Sequence, residues 1–425
     1  MKVLIVNFSN NKGGASQSAK RLNLALIDHG IESKMLVKHS YPEEPLSNSH
    51  IKQDNWLLNL INNLLNSLEN IFMRIIRKPR NSFSYSAFGN LGIVKTINHY
   101  NADIVNLHWV CGNMLSIRDI KRIKAPVVWT LHDIWAFSSG RHIFPRQEGQ
   151  NYLMKLKNEE KGYWYSLKKK HISKKDNLNL IAPSKWIASI SKSSELFKFR
   201  SHHYIPNLPN KDYLNFDLSA DKKASKITLK KNNIVNLPHD KKIILFGAMN
   251  PISDDNKGFM LLQKALLHLE SNNYSLHIFG INNKQEETKL RELIPQALSS
   301  NFKCSLLPET YGSCDLVVVP SYQENLSNVI FEALTCGRPV VAFEIGGNND
   351  LIDHKNNGYL AKPYDHLDLA NGIKWILNHP NPLALESAAR EKISDEFSYD
   401  KIASSHIDLF NNIIETSKYV NKRAI

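Results

Sequence analysis

Short, almost wholly apolar runs alternate with amphipathic stretches along this chain. Val3–Phe8 reads as a strand, Ala15–His29 as a helix and Ser33–Val37 as a strand. Asp103–His108, Val127–Leu131 and Leu178–Ala182 are further apolar runs set between polar or helical segments. Runs without a polar face suit strands covered on both sides, and their alternation with helices predicts a doubly wound parallel sheet. The composition shifts near Pro206, where Asn207–Asp240 combines Pro-Asn turns with a Lys/Asn-rich stretch. A second alternation follows: strand at Lys242–Phe246, helix at Gly258–Ser271, then strands at Ser275–Phe279, Leu316–Val319 and Pro339–Phe343. Helical spacing returns at Tyr399–Tyr419. The expected organisation is a first Rossmann-like domain over 1–206, an interdomain segment at 207–240, a second Rossmann-like domain over 241–395 and a helix within 396–425.

A helical insertion of about residues 45–90 interrupts the first domain. From Trp56 to Arg80 the apolar residues recur near helical period, the other face is rich in Asn, and Arg74, Arg77, Lys78 and Arg80 close the end. Such a helix either packs on a core or lies in a membrane interface. No stretch reaches the roughly 20 apolar residues that span a bilayer, and the first apolar run is too short for a signal peptide.

At 425 residues the chain suits two domains, and 42% hydrophobic with 22% charged residues is ordinary globular composition. Four scattered cysteines without CxxC spacing indicate neither a disulfide framework nor a zinc site, and fit a reducing cytoplasm. The net charge of +14 changes the picture more, because a basic surface attracts phosphorylated substrates, anionic lipid or nucleic acid. Lys155, Lys157, Lys161, Lys168, Lys169, Lys170, Lys174 and Lys175 crowd one stretch. They read either as a solvated helix face or as a surface for a membrane or an anionic acceptor.

The chemistry gathers at predicted strand ends. After Leu316–Val319, Glu324 falls in a loop and Glu332 eight residues on, within the helix that the loop opens. Two carboxylates beside the backbone N–H groups of Asn325, Leu326 and Ser327 suit a nucleotide-sugar: carboxylates hold sugar hydroxyls and a helix start favours phosphate. Lys257 precedes another predicted helix and can neutralise a diphosphate oxygen. Gly13 and Gly14 follow the first strand and let backbone approach a diphosphate. His132, in Thr130-Leu131-His132-Asp133, ends a strand and, if neutral, can bond a sugar hydroxyl; a purely structural histidine is the alternative. Ser184 is a natural helix N-cap. Asp254-Asp255 lacks a third ligand for a metal.

These segments resemble, in order from Gly13 to about Trp375, the retaining glycosyltransferases of family 4. That family's Glu, seven residues, Glu, then Cys-Gly-x-Pro-Val-Val-Ala stands here as Glu324 to Ala342. Thr130–Asp133 resembles its bacterial surface-polysaccharide branch, although the cysteine-rich insert of some relatives is missing after it. Ala248 stands where many members carry an Arg that pairs with the lysine matched by Lys257. The resemblance implies the GT-B fold, two Rossmann-like domains facing a cleft, with the last helix crossing back to the first domain. It further implies that Glu332 holds ribose hydroxyls, that Glu324 faces the transferred sugar and that Lys257 and His132 serve the reacting centre. Gly13, Gly14 and Asn325–Ser327 would bind the donor. The expected reaction moves a sugar from a nucleotide-sugar, with retention and without a metal or other cofactor, onto a glycan or lipid-linked oligosaccharide. Capsule, O-antigen or exopolysaccharide assembly in the cytoplasm, against the inner face of the membrane, is the implied setting, with no nucleic acid. A sugar-nucleotide epimerase of the same fold and a non-catalytic basic membrane- or RNA-binding protein remain the rivals.

Overall fold

The computed structural model describes the chain except residues 11–12, 41–49, 52–55, 76–82, 146–150, 215–221, 271, 302–303 and 424–425. It divides into two compact units: Met1–Leu208 with Tyr399–Ile425, and Pro209–Ser398.

Unit 1 is built on seven parallel strands: β1 (Lys2–Ser9), β2 (Glu32–His39), β3 (His50–Ile51), β4 (Ile104–Leu107), β5 (Val127–Thr130), β6 (Leu178–Ala182) and β7 (His202–Tyr204). Their spatial order is β3-β2-β1-β4-β5-β6-β7. The register sets Val6 beside Leu107 and Leu107 beside Trp129. Every residue of β4 and β5 is buried, so these strands need no polar face. Helix α1 (Gly14–Asp28) returns the chain from β1 to β2, and the helix Tyr399–Arg423 packs on it, the Tyr399 hydroxyl donating to Asp28 at 2.8 Å.

Unit 2 has six parallel strands: β8 (Lys242–Gly247), β9 (Tyr274–Phe279), β10 (Leu298–Ser300), β11 (Leu316–Val319), β12 (Val340–Phe343) and β13 (Gly358–Ala361). They are ordered β10-β9-β8-β11-β12-β13. In each sheet the order turns about the first strand, between β1 and β4 and between β8 and β11. An open α/β sheet binds ligands outside the carboxyl ends of its strands at such a switch point.

Differences from the sequence reading are local. The segment 207–240 joins unit 2 from Pro209 onward, because the helix Lys222–Lys231 buries Leu229 and packs on Leu307–Gly312. Strands β7 and β10 are three residues long and partly polar, too short to show a period. The lysine stretch is not one solvated face: Lys155, Lys168 and Lys175 are buried. The Lys168 ammonium sits 3.9 Å from the centre of the Trp135 ring and donates to the carbonyls of Trp135 and Ser138, and Lys175 donates to Ile123 O at 2.8 Å. Burial lowers the pKa of Lys168 to about 7.

Three buried histidines make stability acid-sensitive. Burial pushes His277 and His406 down to about 4, and His108 well below the usual value. Unfolded histidine takes up its proton near pH 6.5. Between that pH and about 4 the unfolded chain therefore binds more protons, and stability falls as pH drops. Thermal midpoints measured across this window should decline steadily on acidification; a flat profile would contradict neutral burial.

Candidate functional site

In unit 2, two loops at the carboxyl ends of β8 and β11 carry the charged residues, and backbone fit brings them together. Gly258 has φ +72°, and a Cβ there would lie 1.9 Å from Pro320 O. Gly346, in the loop after β12, has φ +54°, and a Cβ there would lie 1.8 Å from Glu324 O, so a third loop closes on the second. Only glycine permits both the left-handed backbone and the approach. Hydrogen bonds then join the loops: Tyr322 N–H to Asn256 O at 2.8 Å, and the Asn256 amide to Gln323 O at 3.0 Å. The Tyr364 hydroxyl donates to Tyr322 O at 3.1 Å.

The product is an ion pair. Lys257 Nζ donates to Glu324 Oε1 at 2.9 Å, with both side chains partly shielded. Burial works against the Lys257 charge, but Glu324 outweighs it and raises the pKa above the ordinary lysine value. Lys257 therefore stays cationic at neutral pH. Ser327 caps the helix Asn328–Thr335 by position but makes no side-chain cap bond. Asn325 and Leu326 lie in the loop that leads to it. One and a half turns into the helix, Glu332 is nearly buried and accepts from the Tyr311 hydroxyl at 3.0 Å. The sequence reading missed Tyr311. It lies 21 residues upstream on another helix, and no spacing rule links the two. Ala248, which stands where many family members carry an Arg, is buried, with its carbonyl close against Gly280.

Unit 1 gathers a second, mostly neutral set. Gly13, with φ +93°, precedes α1, and Gly14 opens it. Asn7 anchors this turn: its amide donates to Ser9 O at 2.7 Å and Ser16 Oγ at 2.9 Å, while its carbonyl accepts from Trp109 N–H at 2.9 Å. The neighbouring Lys12 lies outside the described residues.

At the ends of β4 and β5 the hydrogen bonds assign the histidine tautomers. The Asn106 amide nitrogen donates to Val128 O at 2.9 Å and Thr130 Oγ1 at 3.1 Å, so its carbonyl oxygen faces His108 Nε2 at 2.9 Å. That nitrogen must carry the proton, and His108, being neutral, accepts at Nδ1. His132 Nε2, 2.8 Å away, is the donor. Burial lowers the His132 pKa to about 4, against the pull of Asp133. His132 is thus neutral and its Nδ1 is an acceptor. Asp133 fixes the next loop: it accepts from His142 Nδ1 at 2.6 Å, Trp109 Nε1 at 3.1 Å and Trp135 N–H at 2.8 Å. Ser184 caps its helix as expected, accepting from Ile187 N–H at 3.1 Å. Among the described residues no group of three or more His, Cys, Asp or Glu could hold a metal ion.

Residues 240–379 match the family described as Glycosyl transferases group 1. A D-inositol 3-phosphate glycosyltransferase of Salinispora tropica is 31% identical over 108 residues, 25% of this chain and 22% of that protein. The chain spans less than two thirds of the length of the curated relatives it matches. A glycosyltransferase of Rickettsia africae is similar in structure over 97% of this chain and 98% of that one, with a TM-score of 0.67 and 18% identity. Anabaena Alr3699/HepE, solved in complex with UDP and glucose, is similar over 97% of this chain and 100% of that one, with a TM-score of 0.64 and 18% identity. The two parallel-sheet α/β units have the GT-B fold.

Replacing either loop glycine tests this geometry. Gly258→Ala or Gly346→Ala should each cost at least about 2 kcal/mol in denaturant unfolding, because strain and a backbone clash add. A loss within about 0.5 kcal/mol, the range of a surface change, would mean that the loops are not held this closely.

Proposed function

We propose that this protein is a glycosyltransferase that uses a nucleotide-diphosphate sugar. The observation that carries the reading is the Lys257–Glu324 pair and the nearly buried Glu332 at the switch point of the unit 2 sheet, inside the segment that matches the group 1 glycosyltransferases. Glu332, oriented by Tyr311, is suited to two ribose hydroxyls. Glu324 faces the transferred sugar, and the backbone N–H groups of Asn325, Leu326 and Ser327 bind its phosphate or hydroxyl oxygens. Lys257 changes partner from Glu324 to the diphosphate and offsets the charge that grows as the leaving group departs. Unit 1 by itself offers the Gly13–Gly14 turn for phosphate oxygens and His132 Nδ1 as acceptor for a sugar hydroxyl.

In the reaction the bond from the anomeric carbon to the diphosphate oxygen breaks. A bond to an acceptor oxygen forms, and the acceptor's proton passes to the departing diphosphate on the same face, which retains configuration. The donor sugar is a hexose and the acceptor a glycan, lipid-linked, in bacterial surface polysaccharide assembly such as capsule or O-antigen. The family 4 likeness of Thr130–Asp133 and of Glu324–Ala342 supports this finer reading. The reaction requires no metal or other cofactor, and its setting is the cytoplasmic face of the membrane.

A panel of nucleoside diphosphates and nucleotide-sugars, tested for thermal stabilisation, checks the proposal. One nucleotide class should raise the midpoint by several degrees, and Glu332→Ala should abolish the shift. No shift with any of them at millimolar concentration, or an equal shift in the variant, would count against it.

A further inference from the structure

Helix α2 (Trp56–Ile75) is held to unit 1 by its polar side. Asn62 is buried, its carbonyl accepting from Leu91 N–H at 2.8 Å and its amide donating to Asn90. Asn66 accepts from Lys38 Nζ at 3.0 Å. Glu69, also buried, accepts from the backbone N–H groups of Ser86 at 3.1 Å and Ala87 at 3.3 Å. At 100° per residue these three side chains share one face. The opposite face carries Leu60, Ile61, Leu64, Leu68 and Ile71, all exposed, from 42% at Ile61 to 60% at Leu64. A core-packing helix, one of the two readings of this segment, would have the reverse arrangement. The segment gripped by Asn62 and Glu69 exposes two more large apolar side chains, Phe88 and Leu91. An apolar face of this extent on a helix that buries Asn62 and Glu69 inward calls for an apolar occupant.

Charge selects the occupant. From Asn70 to Ala102 the sequence contains Arg74, Arg77, Lys78, Arg80 and Lys95 and no Asp or Glu. A second copy would carry the same basic, acid-free sequence, like charge meeting like. An anionic bilayer suits both an exposed apolar helix face and an acid-free, basic sequence next to it. Among the described residues no helix is long and apolar enough to cross a membrane.

We propose that α2 is the membrane-docking element of this protein. It lies in the interface of an anionic bilayer with Leu60, Ile61, Leu64, Leu68 and Ile71 in the acyl boundary. This deepens the lipid-linked acceptor reading above by naming the contact surface, and it needs no nucleotide-sugar.

The test is flotation of the full chain with vesicles of phosphatidylcholine alone and of phosphatidylcholine with phosphatidylglycerol, without donor or acceptor. The protein should float with the anionic vesicles and much less with the neutral ones. The double variant Leu64→Gln, Leu68→Gln should bind about tenfold more weakly at an unchanged thermal midpoint, since both side chains are solvent-facing. Equal flotation of the variant, or no flotation of the natural chain, would overturn the proposal. A dimer that the variant converts to monomer, without vesicle binding, would overturn it in favour of a second copy. Because no donor is present, failure here leaves the nucleotide-binding result standing, and the converse holds as well.

Discussion

The contact between the Lys257 and Glu324 loops is the constraint on which unit 2's chemistry depends. Gly258 lets the Lys257 loop pass Pro320 where a Cβ would clash, Gly346 does the same for the loop after β12 against Glu324, and hydrogen bonds through Asn256, Gln323 and Tyr322 lock the approach. An ion pair shielded from water costs desolvation that offsets much of its Coulomb attraction, although for Lys257 the attraction of Glu324 wins. Such a pair contributes little to stability when intact, and its value lies in holding a cation ready. In the proposed reaction a diphosphate would compete for Lys257 with two negative charges against one, and Glu324 would be released toward the sugar as Lys257 changes partner. The arrangement is prepared for an anion while the site keeps its charges balanced without one.

Unit 1 solves a different problem. Its strand ends hold a chain of neutral groups in which each orientation dictates the next: Asn106 orients His108, and His108 orients His132. The chain starts from backbone and hydroxyl acceptors inside the sheet, at Val128 and Thr130, so the tautomer of His132 is set by the fold. A neutral histidine with an assigned acceptor nitrogen can accept a hydrogen bond from a hydroxyl without adding charge. Asp133 beside it has a structural task. Burial would raise its pKa, but His142 and the Trp135 N–H hold it below the ordinary carboxylate value, and it anchors the following loop.

Much of this was legible in the chain. Fully buried parallel strands announce themselves as continuous apolar runs, which is why β1, β5, β6 and β11 agree with the reading to within two residues. The placement of Gly13, His132, Lys257 and Glu324 at strand ends followed from the same pattern. Contacts between residues far apart in sequence were not legible. Tyr311 on Glu332, Lys168 under Trp135 and Glu69 on the Ser86 backbone depend on packing that no local period encodes. The insertion helix shows the limit most clearly. Its amphipathic pattern was evident, but a pattern does not say which face turns inward, and here buried Asn and Glu side chains won because backbone N–H groups awaited them.

The most direct measurement of the central claim is calorimetric titration of the natural protein and of Lys257→Met with the matching nucleoside and nucleoside diphosphate. The account predicts that the substitution weakens the diphosphate at least about tenfold and leaves the nucleoside unchanged, since a charge-assisted hydrogen bond contributes roughly 1.5–3 kcal/mol. Equal affinity of both proteins for the diphosphate would contradict it.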